Sequence, residues 1–192
     1  MIDREIAQKN FNVACKIYEE AKALILELTA YIKKAIPSYS YDVAMRQFDL
    51  ILQGLLLRVA VEDGYYLEEE RQFIEKITDY ADIMTFYNNA GVDVSWQTFD
   101  DLSADAAKDL SLKMFSALEG LVDNFVAPLA IVDEALPKDY CMELCQLIGG
   151  ISIALALCDA DREGSEAFES EAHVAVVLVE KMIMEKWEKA AK

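Results

Sequence analysis

The sequence predicts an all-α helical bundle, and three observations carry that reading. Apolar residues recur at spacings of three and four along most of the chain, and no segment alternates convincingly with period two. Helix-breaking residues are scarce: three prolines and seven glycines in 192 residues, with 54% of the chain hydrophobic. The third observation is an internal repeat. At an offset of 100, Leu55, Leu57, Ala60, Gly64, Glu69, Ile74 and Ile77 face Leu155, Leu157, Ala160, Gly164, Glu169, Val174 and Val177. Each copy, at about 45–80 and 145–180, reads as a helical hairpin that cannot bury its apolar face alone. The two are therefore expected to pack on each other about a pseudo-twofold axis. Length and composition suit one domain spanning residues 1–192, with a long N-terminal helix packed across the two hairpins.

The elements follow in order. Ile17, Ala21, Leu24, Leu28, Tyr31 and Ala35 draw one apolar seam along the first helix. Pro37 ends it, because proline lacks an N–H and pushes the residue before it out of helical space. Ser38 or Ser40 caps a second helix from about Tyr41 to Glu62, and Gly64 stops it in the manner of a C-cap glycine. A third helix begins near Glu68, where Glu68, Glu69 and Glu70 complement the N-terminal dipole, and it fades near Asn88-Asn89-Ala90-Gly91. Ser95 and Ser103 are successive caps, so a short helix precedes a longer one. Pro128 kinks or divides that longer helix and Pro137 ends it. Lys138 to Cys158 forms another apolar helix before the second glycine corner. Within it, Gly149-Gly150 and then Ala154 make a small face that lets a neighbouring helix approach closely.

Charge narrows the function. Eighteen basic against 35 acidic residues give a net charge of −17. Such a field repels phosphate backbones and anionic headgroups and favours cations or basic partners, which argues against nucleic-acid binding. The N-terminus, MIDREIAQKN, has no apolar signal core. The apolar stretches Leu50–Val61 and Leu147–Cys158 fall short of the roughly 20 residues that span a bilayer, so they read as core helices. A cytoplasmic protein with reduced thiols is expected. Cys141 and Cys145, four apart, lack C-x-x-C spacing, and with Cys158 they read as small core hydrophobes.

Two acidic glycine corners carry the remaining chemistry. Carboxylates gathered at helix ends offer hard oxygen ligands for Ca²⁺, Mg²⁺ or Mn²⁺. Asp63 and Glu70 lie on either side of one helix turn, within reach of a shared ion. A competing reading needs no ion: Gly64 ends one helix and the glutamates complement the dipole of the next. At the second corner Asp159, Asp161, Glu163 and Gly164 fit EF-hand loop positions 1, 3, 5 and 6. Glu166 at position 8 and Ser170 at position 12 remove the apolar residue and the bidentate glutamate, so this is not an EF-hand. His173 is the single histidine. Ser170 stands three residues before it, so no Glu-x-x-His pair exists for a di-iron centre. In the repeat it takes the place of Phe73, and a packed, partly buried ring is expected. With no nucleophile elbow and no phosphate loop, no catalytic residue is assigned and an enzyme is not expected.

Leu55 to Ile77 resembles the tellurite-resistance TerB family. Members show an apolar helix, then Asp-Gly, a hydrophobic residue two places on, a glutamate seven residues after the aspartate, and a further apolar helix. Here those positions are Asp63-Gly64, Tyr66, Glu70, and then Phe73, Ile74 and Ile77. The second copy departs from the pattern: Glu163 replaces the aspartate and Ser170 the glutamate, with Asp159, Asp161, Glu169 and Glu171 close by. The match covers roughly 45–80 with an echo in 145–185, leaving the first helix and residues 90–135 outside it. The resemblance implies a helical bundle and a divalent-cation site among Asp63, Glu69, Glu70, Asp159, Asp161 and Glu163. Stress response or envelope-associated complexes are the contexts it implies. The expected function is a non-enzymatic binding or scaffold module that binds or senses a divalent cation. The alternative is an adaptor, with purely structural corners, that docks a basic partner or a membrane complex. A homodimer is within either reading.

Overall fold

In the computed structural model, residues 4–62, 67–79, 83–95, 98–99, 102–136, 138–158 and 166–191 are described, and every regular element among them is a helix. The first, α1 (Arg4–Ala35), buries Ala14, Tyr18, Ala21, Ile25, Leu28 and Ile32. With the half-buried Ala7 and Phe11 ahead of them, these residues form an unbroken four–three seam along the whole helix. The expected seam shares only Ala21, Leu24 and Leu28 with this face, and Tyr31 and Ala35 are exposed. The chain has two overlapping apolar rows here. Which one turns inward is set by the helices α1 meets, not by its own period.

The next helix, α2 (Tyr41–Ala60), starts where Ser40 Oγ accepts the Val43 N–H at 3.3 Å. From Ile51 to Val61 every residue is buried, so α2 is the axis of the bundle. A single helix was expected from near Glu68 to Asn88. Instead α3 (Glu68–Ile77) and α4 (Ile83–Asn89) are separate. The buried Gln53 amide of α2 accounts for the break. Its Nε2 donates to the Ile74 carbonyl at 3.2 Å and to Thr78 Oγ1 at 2.6 Å, and its Oε1 accepts the Ile83 N–H at 3.2 Å. Backbone groups that the interruption would strand are thereby satisfied. Gly91, with φ of 83°, then closes α4, and the Val92 N–H reaches back to the Tyr87 carbonyl at 2.9 Å.

Ser103 caps α5 (Ala104–Ala117) as expected. The bend that follows is not at Pro128. It falls at Leu118, where the path turns by 43° into α6 (Glu119–Ala135), and Pro128 sits inside that continuous helix. Leu118 is fully buried against Gly54 of α2: a Cβ on Gly54 would stand 2.2 Å from Leu118 Cδ1 and 2.8 Å from the Tyr87 hydroxyl. The glycine makes a notch, and the chain bends to put Leu118 into it. Pro128 is tolerated because Asn124, whose carbonyl loses its usual partner, faces solvent.

The last antiparallel pair comprises α7 (Tyr140–Ala156) and α8 (Glu166–Val179). The latter continues through a π-helical turn, Glu180–Met184, into α9 (Glu185–Ala190). Asp139 accepts the Met142 N–H at 2.9 Å, while Asp133 of α6 takes the Tyr140 and Cys141 N–H groups at 2.9 and 3.2 Å. The other end of α7 is held by Asn10, whose amide donates to the Leu157 carbonyl at 2.5 Å. Between these ends α1 lies against α7, and a Cβ on Gly150 would stand 3.2 Å from Ile17 Cδ1. The expected close approach is there, through Gly150.

Both repeat copies place one helix before the glycine and one after it, α2/α3 and α7/α8, and α2 touches both α7 and α8. The corner glycines Gly64 and Gly164 lie outside the described residues, as does Pro137. Among the described residues no single helix is long and apolar enough to cross a membrane. The bent pair α5 and α6 reaches that length only jointly, and its Met114, Leu118, Val122, Phe125 and Leu129 are core residues.

The notch at Gly54 gives a sharp test. Gly54→Ala overpacks a closed site and should cost about 1–3 kcal/mol, read as a lower urea midpoint at unchanged m. In a double-mutant cycle Leu118→Ala should make the added methyl much cheaper, because the side chain that it strikes is gone. Additive losses would show that Leu118 does not occupy the notch.

Candidate functional site

Of the six carboxylates proposed as metal ligands, Asp63, Asp159, Asp161 and Glu163 lie outside the described residues. Glu69 and Glu70 are described, on the first turn of α3. Glu70 is only 2% exposed, and its Oε2 accepts the Leu67 N–H at 2.8 Å. That bond satisfies a donor left open at the helix start, the glutamate half of a capping box. Glu69 is half-buried and turns instead toward a groove.

The groove, about 460 Å³, runs between the N-terminal third of α1, the first turns of α3 and the end of α7. Ala7, Phe11, Phe73 and Cys158 give it an apolar floor, with the Phe11 and Phe73 rings edge to face at 5.3 Å and 81°. Glu68 and Glu69 form its rim beside Gln72 and Lys76. Leu67 borders the first corner and Cys158 the second, so Glu68, Glu69 and Cys158 bring the flanks of both corners to one end of the bundle. Among the described residues no group of three or more His, Cys, Asp or Glu side chains is placed to hold a metal ion.

Cys158 is not a nucleophile in this setting. Burial, with help from the Glu70 charge, pushes its thiol up to about 12, and its Sγ donates to the Ala154 carbonyl. All four cysteines are free, and Cys141, Cys145 and Cys158 are buried, as their spacing suggests.

His173 overturns the expectation from the repeat. Phe73 is 3% exposed, but His173 faces solvent. The buried row of α8 is Glu171, Ala175 and Val179, continued by Met182 in the π-helical turn, which places position 173 on the outside. A register shift contributes: α7 stops at Ala156, whereas the repeat would carry it to Ala160, the counterpart of the last residue of α2.

Behind the first corner stands a charged cluster. Glu62, just past the end of α2, takes Arg58 of that helix at 2.5 Å and Lys108 of α5 at 2.6 Å. Burial opposes ionisation of Glu62, yet the Lys108 and Arg58 cations outweigh it and hold the carboxyl below its usual range. On the opposite side Tyr18 donates to the fully buried Asp49 at 2.7 Å and accepts the Asp79 N–H at 3.2 Å. Burial and Asp49 drive its hydroxyl far above the ordinary tyrosine range. Both clusters tie α2 to its neighbours.

No family model matches the chain, and neither a curated protein nor a solved structure matches it.

Sequence reasoning missed Ala7 and Phe11, which form half of the groove floor. Their signal was present in the four–three series Ala7, Phe11, Ala14, Tyr18, Ala21, which begins earlier than the series first read from Ile17.

The Glu62 cluster yields a pH-dependent prediction. A depressed carboxyl contributes stability that is fully present above its unfolded value, about 4.3, and is lost as pH falls through the folded value. Lys108→Met should therefore cost more at pH 7 than at pH 3. The Lys108 side chain is 41% exposed, so the cost at pH 7 should be modest, about 0.5–1 kcal/mol. Urea titrations at the two pH values check it, and an equal loss at both would remove the electrostatic account.

Proposed function

We propose that this chain is a non-enzymatic helical binding or scaffold module of TerB-like type, acting in the cytoplasm. Its ligand is a basic, amphipathic segment of a protein partner, seated in the groove between α1, α3 and the end of α7. The observation that carries this reading is one concavity that joins an aromatic floor to a carboxylate rim on a chain of net charge −17. Burying one large apolar side chain on Phe11 and Phe73 supplies about 1.5–3 kcal/mol. Lysines or arginines beside it meet Glu68 and Glu69, and the wider negative field speeds their encounter. The TerB-like pattern associates such a module with stress response.

A divalent cation is the second reading, favoured by the approach of both corner flanks to this groove and by the half-buried Glu69. In that reading the ion bridges the corners and the partner binds beside it. Glu70 has a capping duty, so Glu69 is the described carboxylate better placed to reach an ion.

Two measurements test these readings. A fluorescent amphipathic Leu/Lys helix should bind the wild type, and Glu68→Lys with Glu69→Lys should weaken it at least tenfold at physiological salt. The control reversal, Glu119→Lys with Asp123→Lys on α6, should weaken it far less. Equal effects would reduce the groove to bulk charge. For the cation, thermal unfolding is followed in millimolar Ca²⁺ or Mn²⁺ at fixed ionic strength. A true site adds about 2.7 kcal/mol at a hundredfold excess over Kd, and Glu69→Gln should lose that gain. If wild type and variant respond alike, the corner is a capped turn.

A further inference from the structure

A second groove, of about 480 Å³, lies between the end of α6, the start of α7 and the π-helical turn that leads into α9. Three of the ten described residues that line it carry sulfur: Cys141, Met142 and Met184. The whole chain holds four cysteines and seven methionines, so sulfur is concentrated here. Cys145 adds a fourth such residue behind the groove. It stands one turn along α7 from Cys141, buried like it, and the Cys141 thiol is hydrogen-bonded to it. Residues four apart on a helix hold their Cβ atoms about 5–6 Å apart, a span that two sulfurs can close on one ion.

The π turn is the second observation. Ala175, Val179, Ile183 and Trp187 are all buried, at three successive steps of four. At 3.6 residues per turn, three such steps overrun three turns of α-helix by about 1.2 residues, which would swing Trp187 roughly a third of a turn off the buried face. The π turn at Glu180–Met184 takes in an extra residue and cancels that drift. Its result is that Met184 and Trp187 line the same groove as Cys141. Such turns are rare, and they occur frequently at functional sites.

We propose that Cys141 and Cys145 hold a copper(I) ion in this groove, with the Met184 thioether as third ligand. Charge and donor type select the ion. Asp133, Asp139 and Glu188 line the groove against one cation, Lys138, which Glu143 already takes at 2.6 Å, so the local field draws cations. A zinc site needs four nitrogen, oxygen or thiolate ligands or three and a water. Among the described residues no three His, Cys, Asp or Glu side chains gather to supply them, and Asp133 is committed to two N–H groups at the head of α7. Two thiolates and a thioether suit a soft ion of low coordination number. Binding exchanges two thiol protons, which leave to solvent, for one Cu⁺, and no electron moves.

Anaerobic titration with copper(I), held at low free concentration by a colorimetric chelator, reads the outcome. The wild type should take one ion from the chelator, release two protons and quench Trp187 fluorescence, followed in a Trp96→Phe background. Cys141→Ser with Cys145→Ser should weaken uptake at least a hundredfold, whereas Cys15→Ser with Cys158→Ala should keep it. Met184→Leu conserves volume, so it should leave the urea midpoint nearly unchanged while weakening copper binding at least tenfold. That variant decides the question even if the double cysteine variant folds poorly. A wild type that leaves the copper with the chelator overturns the proposal. So does uptake that survives Cys141→Ser with Cys145→Ser, or a Met184→Leu variant that binds as tightly as the wild type.

Discussion

The bundle depends on one constraint: α2 is buried along almost its whole length, so every buried residue on it that is polar, or that lacks a side chain, must be matched by something outside it. Four such residues do the matching. Asp49 takes the Tyr18 hydroxyl and so fixes α1. Gln53 holds the open backbone groups between α3 and α4. Gly54 receives Leu118 and Tyr87. Arg58 pairs with Glu62, which draws Lys108 of α5 to the end of the helix. An unmatched polar group at any of these positions would cost more than a typical hydrogen bond contributes. The breaks in the surrounding helices therefore occur where α2 needs them.

That dependence explains what the sequence disclosed and what it did not. Caps were legible, because Ser40 and Ser103 act on the N–H groups of their own helices, three residues away. The gap between α3 and α4 was not, since its cause lies on another helix. Pro128 misled for a related reason. Proline disfavours a helix interior by removing one hydrogen bond, but on an exposed face water replaces that bond. Leu118 carries no local mark of a bend at all. Its turn follows from a glycine more than sixty residues earlier.

The site divides along the same line. Glu70 was read as a metal ligand or as a partner of the helix dipole, and in the structure its carboxylate takes the Leu67 N–H within its own turn. The position of His173 was inferred from the repeat, and the repeat fails there because α7 ends a turn early. Equivalence in sequence does not guarantee an equivalent face once helix lengths differ. Phe11 went unread because α1 offers two apolar rows, and only packing decides between them.

Buried carboxylates are costly unless hydrogen-bonded, and the buried Asp49 and Glu70, like the half-buried Asp133, hold architectural groups. Asp49 holds a hydroxyl, Glu70 an N–H at the head of α3, and Asp133 two N–H groups at the head of α7. Burial pushes the Asp133 carboxyl up, as does the charge of Asp139, while the two N–H groups pull it back. Groups tied down in this way cannot leave their partners for a ligand without loosening a helix. Glu68 and Glu69 differ, for both reach the groove from a helix start whose open N–H is already met by Glu70. Glu68 meets only side chains of its own helix, Gln72 at 2.9 Å and Arg71 at 3.8 Å, so division of labour within three consecutive glutamates separates the residue that heads α3 from those that line the groove.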